Sequence, residues 1–233
     1  MRRQKRVAIL QSSYIPWKGY FDIINSVDEF ILYDDRQYTT NDWRNRNRIK
    51  SPNGSVWLTI PIRRRWPQRI DEAETSDATW PQRHWQTITQ NYSRASYFSL
   101  YAPGFEAIYR SRLPERLSEI NRTFITAVCA ALHIKTVITS SAAYAATGTS
   151  TERVVSLCTA AGATDYLSGP SARDYIEPEL FDRAGIQLHW MDYSGYLEYP
   201  QPYPPFNHAV SILDLIFCTG DEAPRYMKSF NGR

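Results

Sequence analysis

Cysteine is scarce in this 233-residue chain: Cys129, Cys158 and Cys218 are widely spaced, odd in number and form no CxxC pair. That pattern argues against both a disulfide framework and a cysteine zinc site. Long hydrophobic runs are missing as well. No apolar stretch reaches membrane-spanning length, and MRRQKRVAIL meets Gln11 before it could become the core of a signal peptide. The expectation is a soluble, cytoplasmic protein with no membrane partner. The four histidines, His84, His133, His189 and His208, lack HxxxH and HExxH spacing, so no metal site is expected. GxGxxG, Walker A and GxSxG sequences are absent too, which removes the common phosphate loops and the hydrolase nucleophile elbow. The residues name no cofactor. Net charge is only +3, a small excess for bulk nucleic-acid binding.

What is present is aromatic. Seven Trp and sixteen Tyr exceed what a core needs, and many stand beside Pro, Gly or Arg, where rings line grooves. The composition is that of a globular protein, 42% hydrophobic and 22% charged. Val7 to Leu10 and Phe30 to Tyr33 are continuous apolar runs, as in strands buried on both faces, and Tyr20 to Val27 between them has helical spacing. This βαβ opening predicts an α/β fold with a mostly parallel, Rossmann-like sheet. RNRNRIK, SPNGS and VWLTIPI predict an antiparallel hairpin turning at Asn53-Gly54. Helices are expected over Pro81 to Tyr92 and about Leu113 to Leu132, and after Thr149, which has capping-box spacing to Glu152. TVITS, DYLSG and IQLHWMDY are further strands, PELFDRAG and SILDLIFCTG further helices. With no repeat or low-complexity linker, residues 1–233 form one domain, residues 43–132 being a hairpin and helical insertion within it.

In a parallel sheet the ligand crevice lies at the carboxyl ends of the strands. Gln11, Asp34 with Asp35, Ser168 with Gly169, and Asp192 with Tyr193 end four of them. The loop SSYIPWKGY falls among these ends, and Trp17 and Tyr20 are candidates to stack on a ligand, with Gly19 letting backbone approach it; the plain alternative is a staple holding the loop to its helix. Asp34 and Asp35 point to opposite faces, so at most one enters a site as base or sugar-orienting group; a strand-end turn is the alternative. If WRNRNRIK is extended, Arg44, Arg46, Arg48 and Lys50 share one face, suited to a diphosphate, unless they are a solvated edge. His84, on the same helix as Tyr92, is the leading general-base candidate, against an ordinary core or surface histidine. Cys158 falls on an apolar helix face and reads as packing.

The ordered set QSSYIPWKGYFDII, VDEFILYDDRQY, WRNRNRIK, WLTIPI, HWQTITQNYSRASYF, GATDYLSGPSARDY and SILDLIFCTG resembles the WbqC-like protein family from about Val7 to Gly220. Ser12 stands where that family has Pro after the opening Gln. The resemblance implies a bacterial protein of O-antigen, other surface-polysaccharide or small-molecule biosynthesis, acting on an activated sugar or related amine. It also carries the family's polar positions onto Gln11, Tyr14, Trp17, Tyr20, Asp34, Asp35, Gln37, Asn45, Arg46, His84, Tyr92, Ser168, Gly169, Tyr175, Ser211 and Asp214. The resulting expectation is a transferase that acylates or aminoacylates an amino sugar or other amine. Arg44, Arg46 and Arg48 would hold phosphates, and His84, Asp34 or Asp35 would take the proton. Its partners would be a small-molecule substrate, with nucleotide sugars among the candidates, and an acyl or aminoacyl donor or carrier protein. The alternatives are a non-catalytic substrate-binding or scaffolding protein, a metal-dependent hydrolase, and a nucleotidylyl transferase, whose HxGH element is not in YIPWKGYF.

Overall fold

The computed structural model describes residues 4–230; the first three residues of the basic cluster MRRQKR lie outside them. The chain opens with β1 (Arg6–Leu10), α1 (Lys18–Asn25) and β2 (Glu29–Leu32). Side chains alternate across a strand, and both faces of these strands are buried. Val7, Ile9 and Ile31 enter one hydrophobic cluster, while Ala8, Phe30 and Leu32 enter the other. All eight residues of α1 are buried.

A hairpin follows, β3 (Arg46–Ser51) and β4 (Gly54–Thr59), paired antiparallel as a separate two-stranded sheet. Ser51 faces Gly54, so Pro52 and Asn53 form the turn, and the positive φ falls on Gly54 (+108°) rather than on Asn53. Three helices complete the insertion: α2 (Trp80–Tyr92), α3 (Phe98–Arg110) and α4 (Leu117–Ala131). Pro81 sits in the first turn of α2, where its missing N–H costs nothing. α4 begins later than the apolar pattern suggests because Thr75 N–H donates to the Glu115 carbonyl and Leu117 N–H to that of Ala73, 2.9 and 2.8 Å, which holds residues 115–117 alongside 73–75.

β5 (Val137–Ser140), α5 (Ser150–Ala160), β6 (Asp165–Ser168), α6 (Pro178–Ala184) and β7 (Gln187–Trp190) return the chain to the main sheet. A proline-rich loop leads to α7 (Ile212–Thr219). The five-stranded sheet is parallel throughout, in the order β5-β2-β1-β6-β7. Counting its strands alone this is 3-2-1-4-5, the doubly wound order, and the fold is α/β. The expected capping box does not form: the Thr149 side chain caps nothing, so the first N–H groups of α5 are left without that acceptor.

Candidate functional site

The order of strands reverses between β1 and β6, and a crevice of about 530 Å³ opens there at their carboxyl ends, as the doubly wound topology dictates. Leu10, Gln11, Tyr166 and Ser168 come from the strand ends. Trp17 and Tyr20 come from the first loop and α1, Tyr33 and Arg36 from beyond β2, Ser150 and Thr151 from the first turn of α5, Gly169 to Ala172 and Tyr175 from beyond β6, and Tyr193 from beyond β7. Arg44 reaches in from the insertion. A smaller cavity of about 280 Å³ shares Leu10, Gln11, Trp17, Tyr20 and Arg44 and extends to Trp43, Asn47 and Ala209.

The opening loop is fixed at nearly every residue. Ser12 N–H donates to Asp34 Oδ1 at 2.8 Å, Asn121 Nδ2 donates to Ser12 Oγ and to the Arg44 carbonyl at 3.0 and 2.9 Å, and Tyr14 N–H donates to the Trp43 carbonyl at 3.0 Å. Asn47 Nδ2 donates to the carbonyls of Tyr14 and Ile15, 3.1 and 2.9 Å. These bonds clamp the end of β1 to the insertion and so set where Arg44 points. The Trp17 indole lies over Gly19, where a Cβ would come within 2.3 Å of its ring, and meets Tyr193 and Tyr196 edge-on at 5.2 and 5.7 Å. Gly19 therefore admits the indole rather than a ligand. The Tyr20 hydroxyl donates to the Gln11 carbonyl at 3.0 Å; burial first, then the Asp34 charge, pushes its pKa well up.

The crevice is cationic. Among the described residues its lining holds two guanidiniums, Arg36 and Arg44, and no Asp, Glu, Lys, His or Cys. Arg36 pairs with Asp35 Oδ2 at 3.1 Å, and Arg153 shares that carboxylate at 2.5 Å. Burial favours the neutral acid, but these bonds and one from Ser141 hold Asp35 below its usual range. Among the described residues Arg44 has one ion pair, a long one to Asp42 at 3.7 Å, its charge also acts on Asp34, and its buried Nε donates to no protein group. One carboxylate divided among two guanidiniums, plus an under-paired Arg44, leaves positive charge facing the crevice.

Of the residues singled out from sequence, Gln11, Trp17, Tyr20, Arg44, Ser168, Gly169 and Tyr175 come together here. Tyr175 is the most open of them, 65% exposed. The others lie elsewhere. His84 is in the core among Tyr14, Trp80 and Thr59: Nε2 is 3.2 Å from the Thr59 carbonyl, an acceptor only, so it carries the proton, and Nδ1 accepts from Tyr14 Oη at 2.9 Å. Burial lowers its pKa to about 4. Asp34 is buried and raised in pKa by burial, despite the hydrogen bonds from Ser12; it faces the loop backbone, and neither it nor Asp35 lines the crevice. Tyr14 is core, and Tyr92 donates to Asp214 at 2.6 Å while accepting from Lys50 N–H at 3.0 Å. Asn45 donates to the Ile60 carbonyl at 2.8 Å, and Gln37 is exposed. Arg46 and Arg48 are on the outer face of the hairpin, against Trp57 and Trp43, so the expected cation ladder divides: Arg44 alone enters the crevice. Cys158 is core, its thiol pushed up by burial.

Sequence reasoning missed Tyr33, Arg36, Thr151, Tyr166 and Trp43. Arg36 follows Asp35 directly, and that adjacency was the available signal; Thr151 carries none, because nothing in its local sequence tells that the start of α5 faces the crevice.

The uncharacterized protein Rv1507c of Mycobacterium tuberculosis is 46% identical over 226 residues, covering 96% of this chain and 98% of its own. No solved structure matches. The WbqC-like protein family matches residues 11–226, a span that takes in the crevice lining from Gln11 onward, the hairpin and α7, and the chain belongs to that family.

Proposed function

We propose that the crevice binds a phosphate-bearing molecule with a planar or sugar ring, such as a nucleotide sugar, and that the protein is a cytoplasmic transferase of surface-polysaccharide or small-molecule biosynthesis. The carrying observation is two guanidiniums among aromatic walls, with no carboxylate in the lining, at the switch point of a doubly wound sheet. Guanidiniums match phosphate oxygens in pairs, the rings of Trp17, Tyr33 and Tyr193 offer faces and edges to a base or sugar, and the uncapped start of α5 adds a further anion-favouring dipole. In the transfer itself, an amine forms a new amide bond as the donor's bond to its leaving group breaks, and the amine's proton goes to that leaving group. Positioning supplies the rate, since among the described residues the lining holds no carboxylate, histidine, lysine or cysteine to act as a base. That same observation favours a second reading, a non-catalytic site that holds a substrate for a partner enzyme.

A thermal-shift screen against nucleotide sugars, free nucleotides and acyl donors, repeated with Arg44→Met, tests the binding reading. A nucleotide sugar is expected to raise the melting temperature, and Arg44→Met to weaken it about 10- to 100-fold, the scale of one charge-assisted hydrogen-bonded pair. The variant's own melting temperature should move little, because Arg44 loses only a long contact to Asp42 and a charge–charge attraction to Asp34, with no direct hydrogen bond to either. If no phosphate-bearing ligand shifts the transition, the anion reading fails. Binding without turnover, even with an amine and a donor present, selects the second reading.

A further inference from the structure

The smaller cavity differs in chemistry from the crevice it adjoins. Leu10, Pro16, Trp17, Tyr20, Trp43 and Ala209 make most of its wall, and Arg44 is the only charged residue among the described residues that line it. Asn47 is spent on backbone, donating to Tyr14 and Ile15 and accepting from Arg48 N–H at 2.7 Å, so Gln11 and Ser13 are the polar side chains left to meet a ligand.

Its rim continues onto the outer face of the hairpin. Trp43 and Trp57 are each 42% exposed, with ring centroids 5.6 Å apart. Arg46 lies 4.2 Å over the Trp57 ring, and Arg48 lies 5.2 Å over Trp57 and 5.7 Å over Trp43. Alternation along β3 explains this: Asn47 and Ile49 point inward and are buried, so Arg46 and Arg48 point out. Neither guanidinium has an ion pair among the described residues, and the buried Nε of Arg48 has no hydrogen-bond partner. Stacking on indole holds the two charges in place without neutralising them.

We propose that the smaller cavity and the Arg46–Arg48 face together bind an elongated anion distinct from the ligand of the larger crevice. Its uncharged ring or chain fills the cavity, and its phosphate, sulfonate or carboxylate end rests on the two guanidiniums. An apolar wall selects the body, and uncompensated, pre-oriented cations select the charged end. Arg44 and Gln11, which line both compartments, would then lie between the two ligands. That the elongated anion is the second substrate rests on the transferase reading; that it binds does not.

The probe is 8-anilinonaphthalene-1-sulfonate, a fused apolar ring system with one anionic end, titrated by its own fluorescence and by quenching of tryptophan. One molecule is expected to bind the native protein. Arg46→Gln with Arg48→Gln should weaken it at least tenfold, and Ala209→Phe, which fills the cavity from an exposed position, should abolish it. Arg110→Gln, a charge removed from exposed α3, should leave it within twofold. No binding, or binding indifferent to the hairpin arginines, overturns the proposal. Loss with the arginine pair but not with Ala209→Phe puts the probe on the open face alone and overturns the two-part site. If Ala209→Phe does not fold, the arginine pair together with protection of Trp43 and Trp57 from acrylamide by the probe decides instead, unchanged protection overturning it. None of these arms needs a ligand in the larger crevice, so failure of the nucleotide reading is seen separately, in the thermal-shift screen.

Discussion

His84 donates through Nε2 to a carbonyl and accepts at Nδ1 from Tyr14, whose hydroxyl lies 2.6 Å from that of Tyr109. This relay is closed, and burial makes protonation of the ring costly. With a folded pKa of about 4 against an ordinary 6.5, the unfolded chain takes up the proton first. The stabilisation is therefore complete above pH 6.5 and is lost as pH falls toward 4. It amounts to about 3 kcal/mol at most, by the free energy of each pKa unit. The melting temperature should fall more steeply between pH 7 and pH 4.5 in the native protein than in His84→Gln, and ligand binding at the crevice should be the same in both. Equal slopes would show that His84 does not titrate this way; lost binding would return it to the site. Sequence suggested the opposite role because a histidine on a helix beside polar residues carries no mark of its partner. Tyr14 is 70 positions away, and only the fold brings the two together.

At the scale of elements, the opening loop works because its aromatics divide between core and crevice. Tyr14 packs inward on Trp80 and Phe124, while Trp17 and Tyr20 line the site. Gly19 is the hinge of that division. Gly19→Ala would set a Cβ 2.3 Å from the Trp17 indole, so the ring must leave the face of α1, at a cost of about 1–3 kcal/mol for overpacking. Tryptophan emission should shift to the red and crevice binding should weaken; an unchanged spectrum and affinity would show that the indole does not rest there. The strands were legible because buried parallel strands read as apolar runs, and the in-out alternation of RNRNRIK was legible because its period is two. The destination of each face was not. Nothing in that period tells that Arg44, just before the strand, turns into the crevice while Arg46 and Arg48 turn away. α3 was hidden because Pro103 and Gly104 lie inside it, two residues that read as a break. Its burial of Ala102, Phe105 and Tyr109 outweighs that local preference.

At the scale of the molecule, two hydrophobic clusters lie on the two faces of one sheet, and β1 and β2 contribute side chains to both. The larger cluster runs without interruption from Ala8, Phe21 and Phe30 of the opening unit to Trp80 and Phe124 of the insertion and Phe217 of α7. The insertion therefore shares its core with the opening unit and α7. Phe124 packs against Tyr14 at 5.4 Å on one face, and Phe181 stacks on Tyr166 at 5.1 Å on the other; both are fully buried. Phe124→Ala and Phe181→Ala should each cost about 3–5 kcal/mol. If residues 43–132 belong to one domain with the rest, both variants lower the midpoint of a single cooperative transition, followed alike by far-ultraviolet circular dichroism and by tryptophan fluorescence. Five of the seven tryptophans, Trp43, Trp57, Trp66, Trp80 and Trp85, lie inside the insertion, so the fluorescence signal weights it heavily. A Phe124→Ala fluorescence midpoint that falls below the dichroism midpoint, with Phe181→Ala moving dichroism alone, would mean that the insertion unfolds as a unit of its own. Coincident midpoints in both variants would make the sheet that bears the crevice and the insertion that supplies Arg44 a single cooperative structure.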